Sequence, residues 1–358
     1  MSQAFLIVGQ GIAGSALAFF LHQRGHRVTV VDDGHRTSAT RVAAGMVNPI
    51  TGKRLAKTPD WEVKWPVALA FYQALETLGG QQIYHPMPIR RLYRNEDECA
   101  RMAKRLNDPD YTPYLSEASP TNAHSAMNDD YGSVVIQGGR VDTTALLQIT
   151  RAYFEAEGLL VAGSLDYDEL RIEPSQLRWQ GERYDKVIFC DGMQVLHNPF
   201  FAPLKTDPVK GEILSLKSNT SLPHEILNKG KWLLPVSDQE ARLGATYDRR
   251  AFDTQPTPEG RTELMEALRD LLPENDHLSL GESAAGVRIC MQDNYPLIGL
   301  HPELSSVGLF NGFASKGNSL APYWAKCFMD MLEGNSPLPE EILLMRAWKR
   351  LPPKSLPQ

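Results

Sequence analysis

The sequence predicts a fold of the α/β class, in which a doubly wound, Rossmann-like domain is joined to an α+β domain built on an antiparallel sheet. Three observations predict it. Residues 5–32 have the pattern of a buried strand, a glycine turn, a helix and a second strand that ends on an acidic residue. Residues 186–190 form another short apolar strand, which leads into Asp191-Gly192. Between about residues 207 and 280, short apolar runs separated by turn residues are typical of antiparallel strands.

The N-terminal pattern carries the glycine spacing GxGxxG. In such a motif Gly9 permits the tight turn, Gly11 lets backbone N–H groups approach a pyrophosphate, and Gly14 lets the helix pack closely on the sheet. The helix N-terminus then faces the negative charge, and Asp32 is placed to accept a ribose hydroxyl. These features indicate dinucleotide binding. The motif alone does not distinguish FAD from NAD(P), and a turn that only packs is the alternative. The residues assigned to this cradle are Gly9, Gly11, Ile12, Ala13, Gly14 and Asp32.

Composition limits the class of protein. The 358 residues are 42% hydrophobic and 22% charged, as in ordinary globular proteins, and the net charge of −6 argues against general nucleic-acid binding. Four widely spaced cysteines show no metal-ligand spacing, so no metal site is expected. The apolar stretch 16–21 is too short to span a membrane and has no basic leader. We therefore expect a cytoplasmic protein without a membrane span.

The remaining elements follow in order along the chain. Apolar spacing predicts helices over 65–78, over 143–157 with Asp142 as its N-cap, and over 261–272. A last helix is predicted over 321–332, after a glycine-bearing turn. Because the first sheet is left and re-entered, both domains are predicted to be discontinuous. The dinucleotide domain is assigned to residues 1–80, 134–206 and 285–358, and the substrate domain to 81–133 and 207–284.

In the order of these segments, the chain resembles the D-amino-acid oxidase-like (DAO) family of FAD-dependent oxidoreductases. The resemblance is strongest to its glycine oxidase branch and to the oxidase domain of the tRNA-modifying MnmC proteins. The resemblance rests on motifs that occur in order over nearly the full length and that select FAD over NAD(P). After the glycine turn, these motifs are Ala43-Ala44-Gly45-Met46, Gly138-Gly139, Pro208 to Glu212, Leu243 to Thr246, Gly286-Val287-Arg288, Pro296 to Gly299, Gly312 to Gly317 and Ala321-Pro322.

The resemblance implies an isoalloxazine ring that lies between the FAD-binding domain and the antiparallel domain. It also implies that the 312–319 loop directs N–H groups and Lys316 at the flavin, although Lys316 is equally compatible with a surface position. The cysteine that carries covalent FAD in some members corresponds to Gly286 here, so non-covalent FAD is expected. The cofactor residues that the resemblance adds are Ala44, Gly45, Met46, Leu165, Gly192, Arg288, Gly312, Ser315, Lys316, Gly317, Asn318 and Ser319.

For the substrate, the resemblance points to Arg288, which matches an arginine that binds the substrate carboxylate. A planar fork of donors on an apolar strand suits bidentate carboxylate binding. The alternative is a structural ion pair with Glu282 or Asp293. Trp232 stands where glycine oxidase has a tyrosine, and Tyr247 either supplies a replacement hydroxyl or only caps the pocket wall. Together with Met46, these side chains are the expected catalytic-site residues.

The activity that the resemblance implies is oxidation of the C–N bond of a small amino acid or secondary amine by hydride transfer to flavin N5, which gives an imine that water hydrolyses. The electron acceptor, either O₂ or a quinone or protein, stays open. One alternative is the same chemistry on an aminomethyl or carboxymethylaminomethyl group of a modified tRNA nucleoside. Another is a flavin-binding protein without turnover.

Overall fold

The computed structural model describes residues 2–52, 54–118, 127–173 and 176–350. The segments 119–126 and 351–358, which the predicted domain boundaries include, therefore lie outside the described residues. No helix in the described part is long and apolar enough to cross a membrane.

The helices are α1 Ile12–Gln23, α2 Ala39–Val42, α3 Trp61–Gly79, α4 Glu96–Leu106, α5 Thr143–Ala156, α6 Pro258–Leu271, α7 Gly317–Leu332 and α8 Leu344–Trp348. The strands are β1 Ala4–Val8, β2 Arg27–Asp32, β3 Met46–Val47, β4 Ile50–Thr51, β5 Ala56–Lys57, β6 Tyr84–Pro86, β7 Ile89–Leu92, β8 Leu115–Glu117, β9 Ser133–Ile136, β10 Gly139–Val141, β11 Leu160–Ala162, β12 Arg171–Glu173, β13 Gln176–Trp179, β14 Glu182–Tyr184, β15 Lys186–Phe189, β16 Asp207–Ser218, β17 Ile226–Lys229, β18 Lys231–Pro235, β19 Glu240–Gly244, β20 Leu278–Cys290, β21 Leu297–Leu300 and β22 Val307–Asn311.

The first sheet has six strands in the order β11-β2-β1-β15-β22-β21, and only β21 runs antiparallel to its neighbour. Helices α1, α3, α5 and α7 pack on one face, and the small sheet β12–β14 together with α8 covers the other. The carboxyl ends of β1, β15 and β22 meet at one edge, where open α/β sheets bind their ligands. The predicted α/β class with a Rossmann-like sheet is thus confirmed.

The second sheet has eight strands in the order β20-β16-β19-β18-β17-β7-β9-β8. Every neighbouring pair is antiparallel except β17 and β7, which run parallel. The long strands β16 and β20 pair over most of their length. The prediction of a second, antiparallel sheet is therefore confirmed, apart from the one parallel pair.

Sheet pairing differs from the predicted domain boundaries at three places. Strand β6, which those boundaries place in the substrate domain, pairs with β10 of the first domain. Strand β9, which those boundaries place in the first domain, pairs with β7 and β8 in the eight-stranded sheet. Residues 285–290 likewise belong to β20 and pair with β16. The residues of a short apolar strand do not show which of two sheets it joins, so the sequence pattern cannot assign such strands to one domain or the other. The exact division into domains stays a proposal.

The helices also refine the predictions. Helix α3 begins at Trp61, one turn before the predicted start, and contains Pro66 within its first two turns. Proline is favoured at the first position of a helix, so the sequence around Pro66 is typical of a helix start. Asp142 caps α5 as predicted, since its carboxylate accepts hydrogen bonds from the N–H groups of Thr144 and Ala145.

Candidate active site

A cavity of about 1220 Å³ lies between the carboxyl edge of the six-stranded sheet and one face of the eight-stranded sheet. It is larger than the roughly 300–1,000 Å³ typical of pockets for drug-sized ligands. Its wall includes every predicted site residue except Gly14 and Gly312. The sequence therefore identified residues from distant segments that the fold brings together around one cavity.

The two exceptions, Gly14 and Gly312, lie behind the cavity wall, where neighbouring backbone atoms pack closely against them. A Cβ on Gly14 would stand 1.8 Å from the carbonyl oxygen of Gly9, so only glycine lets α1 approach the turn this closely. Gly312 has a φ of +81°, and a Cβ there would stand 3.1 Å from the backbone nitrogen of Leu297. Gly14 thus packs α1 against the turn, which is the role that the sequence pattern gives it, and Gly312 shapes the backbone next to the cavity; their assignment to the cofactor site stays a prediction.

The glycine turn leaves space at the edge of the sheet. Gly9 has a φ of +95°, and a Cβ there would lie 2.7 Å from the carbonyl oxygen of Cys190. The N–H of Ile12, in the first turn of α1, donates to Oγ1 of Thr40 at 3.0 Å. Thr40 also lines the cavity, and sequence reasoning missed it, since only the fold carries this polar segment over the helix start.

Asp32 is buried at the end of β2, and its carboxylate accepts several hydrogen bonds. Its Oδ1 accepts from the backbone N–H groups of Gly34 at 2.9 Å and His35 at 3.1 Å, and from Arg151 at 3.3 Å. Burial opposes ionisation, but the hydrogen bonds from His35 and the Gln10 N–H outweigh it and lower the pKa of Asp32 to about 2. Within the described residues Oδ2 accepts only the Gln10 N–H, at 2.9 Å. An acceptor site on Oδ2 therefore stays open for the predicted ribose hydroxyl.

Asp191 is a second carboxyl group at the cavity wall, and sequence reasoning named only its neighbour Gly192. Burial raises the pKa of Asp191 to about 7. The side-chain amides of Asn198 and Asn311 donate to its two oxygens at 3.1 and 3.2 Å. This carboxyl group is thus held rigidly and titrates near neutrality.

The loop before α7 places Lys316 at the cavity wall and not on the surface. The ammonium group of Lys316 donates to Oγ1 of Thr58 at 3.2 Å. Burial, and then the nearby charge of Lys64, lower the pKa of Lys316. Helix α7 begins at Gly317 without a side-chain cap, and Lys316, Gly317 and Asn318 line the cavity, so the positive end of the helix lies at the cavity wall.

Arg288 projects from β20 into the cavity. Its guanidinium lies against Gly211 of the neighbouring strand, where a Cβ would stand 3.1 Å from Nη2. Burial lowers the pKa of Arg288. Within the described residues no carboxylate pairs with it and no acceptor takes its N–H groups. This half-buried cation has no partner of opposite charge there, which leaves it available to an anionic ligand.

The alternative partners of Arg288 are engaged or distant. Asp293 pairs with Arg346 at 3.1 Å and with Arg350 at 2.9 Å. Glu282 is exposed, six residues earlier on β20. The alternative of a structural ion pair is therefore absent among the described residues.

Two aromatic side chains flank this region. The indole of Trp232 lies over Gly244, where a Cβ would stand 2.5 Å from Cζ2. Tyr247 is 57% exposed, and its hydroxyl accepts from Arg249 at 3.0 Å. Arg249 in turn pairs with Asp207 at 3.0 Å. Tyr247 thus stands at the cavity mouth, while Trp232 covers the wall.

Residues 4–331 match the DAO family, described as FAD dependent oxidoreductase. The chain belongs to this family. FAD is accordingly its cofactor, and the residues present fit it: the turn at Gly9 excludes a side chain where the backbone must approach a phosphate, and the cavity runs from that turn to the second sheet. No group of three or more His, Cys, Asp or Glu in the described part is arranged to hold a metal ion.

Several relatives align over nearly the whole chain. Glycine oxidase from Pseudomonas putida is 30% identical, over 94% of this chain and 96% of its own length, and that from Pseudomonas aeruginosa is 26% identical, over 94% and 97%. The tRNA 5-methylaminomethyl-2-thiouridine biosynthesis bifunctional protein MnmC from Marinobacter nauticus is 27% identical, but this chain spans only 55% of it.

Solved structures share the fold. Iminodiacetate oxidase from Chelativorans sp. BNC1 superposes with a TM-score of 0.80 at 22% identity, covering 95% of this chain and 98% of that one. Glycine oxidase from Bacillus cereus superposes with a TM-score of 0.77 at 23% identity, covering 94% and 96%. The predicted glycine oxidase-like fold is confirmed.

Proposed function

We propose that this FAD-dependent enzyme oxidises the C–N bond of a small amino acid or secondary amine, and that Arg288 binds the substrate carboxylate. The observation that carries the proposal is the half-buried guanidinium of Arg288, which faces the cavity without an acidic partner in the described chain. A carboxylate placed there makes paired, charge-assisted hydrogen bonds with the guanidinium and neutralises its charge.

FAD, when bound, supplies the acceptor for the hydride that leaves the substrate α-carbon. The chain itself orients the substrate. Arg288 fixes the carboxylate end, and the indole N–H of Trp232, which has no acceptor among the described residues, offers a further donor. Enclosure between the two sheets excludes water, and the N-terminus of α7 together with Lys316 stabilises negative charge.

We further propose a cellular compartment and an electron acceptor for the reaction. Cys99, Cys190, Cys290 and Cys327 are all free thiols, which suits a reducing compartment and supports a cytoplasmic enzyme. We propose O₂, or alternatively a quinone or a protein, as the electron acceptor. Air reoxidation of the reduced protein, followed with and without an added quinone, distinguishes these acceptors.

The test is anaerobic mixing of the holoprotein with glycine, N-methylglycine, proline and uncharged amines while the flavin absorbance is followed. Carboxylate-bearing amines should bleach the flavin. The variant Arg288→Ala should lose about tenfold to a hundredfold in kcat/KM on carboxylate substrates, as expected for a lost charge-assisted pair, and far less on uncharged amines. Arg183→Ala, which alters an exposed arginine on β14, is the matched control. Equal losses on both substrate classes would assign Arg288 to structure.

A second candidate is suggested by the MnmC relative. A carboxymethylaminomethyl group is itself an N-substituted glycine, so its carboxylate suits Arg288 equally well. Against this candidate, Arg249 at the cavity mouth already pairs with an acidic residue, Asp207. Bleaching by a carboxymethylaminomethyl nucleoside, but by no free amino acid, would favour it. If no amine of either kind bleaches the flavin, the remaining alternative of a non-catalytic flavoprotein stands.

A further inference from the structure

The cavity continues beyond Trp232 to a second polar cluster, formed by Arg91, Arg94 and Asn228. Strand register places this cluster on the substrate side of the eight-stranded sheet. Trp232 on β18 lies directly opposite Asn228 on β17, and Asn228 lies opposite Arg91 on β7. One face of the sheet thus leads from the strand that bears Arg288 to the strand that bears Arg91.

The cluster carries excess positive charge. A single carboxylate, that of Glu98, serves two guanidinium groups: Nε of Arg91 donates to its Oε1 at 2.9 Å, and Nε of Arg94 donates to its Oε2 at 3.0 Å. In the described residues the terminal nitrogens of Arg94 have no acceptor. The Arg94 side chain lies against Gly230, which also lines the cavity. Arg94 is exposed to solvent at this end of the cavity, and the two guanidinium groups together carry one more charge than the carboxylate that they share, so an anion can bind to the free terminal nitrogens of Arg94.

Asn228 adds an uncharged donor. The residue is only 8% exposed. Its Oδ1 accepts from Arg91 and from the N–H of Gly230 at 3.2 Å. These two donors fix the orientation of the amide, so its NH₂ group points the other way. That group has no acceptor in the part of the chain that the structure describes. Because Asn228 lines the cavity, this free donor is accessible to an acceptor on a ligand.

We propose that this second cluster binds an anionic group, carboxylate or phosphate, at the far end of the substrate's N-substituent. The inference rests on the proposed function and specifies its substrate class as secondary amino acids with a long acidic tail. Five strand spacings of about 4.8 Å separate β20 from β7, or roughly 24 Å along the sheet before the side chains converge. A methyl substituent does not reach the cluster, whereas an extended chain does.

The test compares N-substituted glycines that differ only in the tail. Long N-alkylglycines ending in a methyl group, a carboxylate or a phosphonate are mixed with the holoprotein, together with N-methylglycine. Binding is followed by perturbation of the flavin spectrum, and turnover by bleaching. Wild-type protein should favour acidic tails over methyl tails by about tenfold or more, the gain expected of charge-assisted hydrogen bonds. Comparing the carboxylate and phosphonate arms identifies the preferred anion.

Variants assign the preference to the cluster. Arg94→Gln should abolish the preference for acidic over methyl tails, and Arg94→Lys should restore part of it. Arg105→Gln is the matched control, because Arg105 pairs with Asp108 on the same segment without lining the cavity. Equal binding of acidic and methyl tails, or a preference that survives Arg94→Gln, overturns the inference. If acidic tails bind through Arg94 but no probe bleaches the flavin, the proposed reaction fails and the binding site stands.

Discussion

Arg288 and Gly211 lie against each other on the neighbouring strands β20 and β16. A Cβ on Gly211 would stand 3.1 Å from Nη2 and 3.4 Å from Cζ of the guanidinium. The missing side chain on β16 therefore sets the position of the charged group on β20. We therefore expect Gly211 to act as a positioning residue for the proposed carboxylate site.

Gly211→Ala should displace the guanidinium by a few tenths of an ångström without removing it. We expect KM for carboxylate amines to rise about tenfold, since small misplacements of a binding group are costly, while flavin content stays at the wild-type level. Steady-state kinetics and the flavin absorbance measure the two effects. Gly281→Ala adds the same methyl group to β20 outside the cavity and serves as the control. An unchanged KM in Gly211→Ala would show that the guanidinium tolerates the contact.

Gly14 fixes the distance between α1 and the glycine turn. A methyl group there would stand 1.8 Å from the carbonyl oxygen of Gly9, so Gly14→Ala should separate the helix from the sheet. We expect a loss of about 1–3 kcal/mol of stability, typical of overpacking, and a protein purified with little flavin. Thermal unfolding and the flavin-to-protein absorbance ratio test this. Gly281→Ala, which adds the same methyl group outside the cavity, should retain the cofactor; full flavin content in Gly14→Ala would contradict the packing argument.

The sequence predicted what is local and missed what depends on pairing between distant segments. The strand, turn and helix around Gly9 follow from residue spacing, and Asp142 caps α5 because a cap is a contact within one turn. Thr40 is a candidate because the fold places it at the start of α1, and Asn228 because strand pairing places it beside Trp232 and Arg91. No local sequence pattern specifies either arrangement. The pairing of β9 with β7 and β8 could not be predicted for the same reason, since Val134 and its neighbours suit a buried strand in either sheet.

Asp191 makes stability depend on pH near neutrality. Its ordinary pKa of 3.8 rises to about 7 in the folded protein because of burial, so the folded state retains a proton that the unfolded chain has lost. Stability should fall as pH rises from about 3.8 to about 7 and then level off, with a total effect of at most on the order of 4 kcal/mol. Asp191→Asn should lack this contribution. Urea unfolding of both holoproteins across that window measures the difference, and parallel pH profiles for the two proteins would rule the assignment out.

FAD should be released intact when the protein is denatured. Of the free cysteines, only Cys190 and Cys290 line the cavity. Burial raises the pKa of both thiols, so neither is a thiolate at neutral pH, the form needed for attack on a flavin. Gly286, which matches the cysteine position of covalent family members, has no side chain and packs beside Ala39 and Val42 of α2. Acid precipitation should leave a yellow supernatant and a colourless pellet, in wild type and in Cys290→Ala alike. Flavin fluorescence that migrates with the polypeptide on a denaturing gel, and disappears in Cys290→Ala, would instead establish a covalent bond to that thiol.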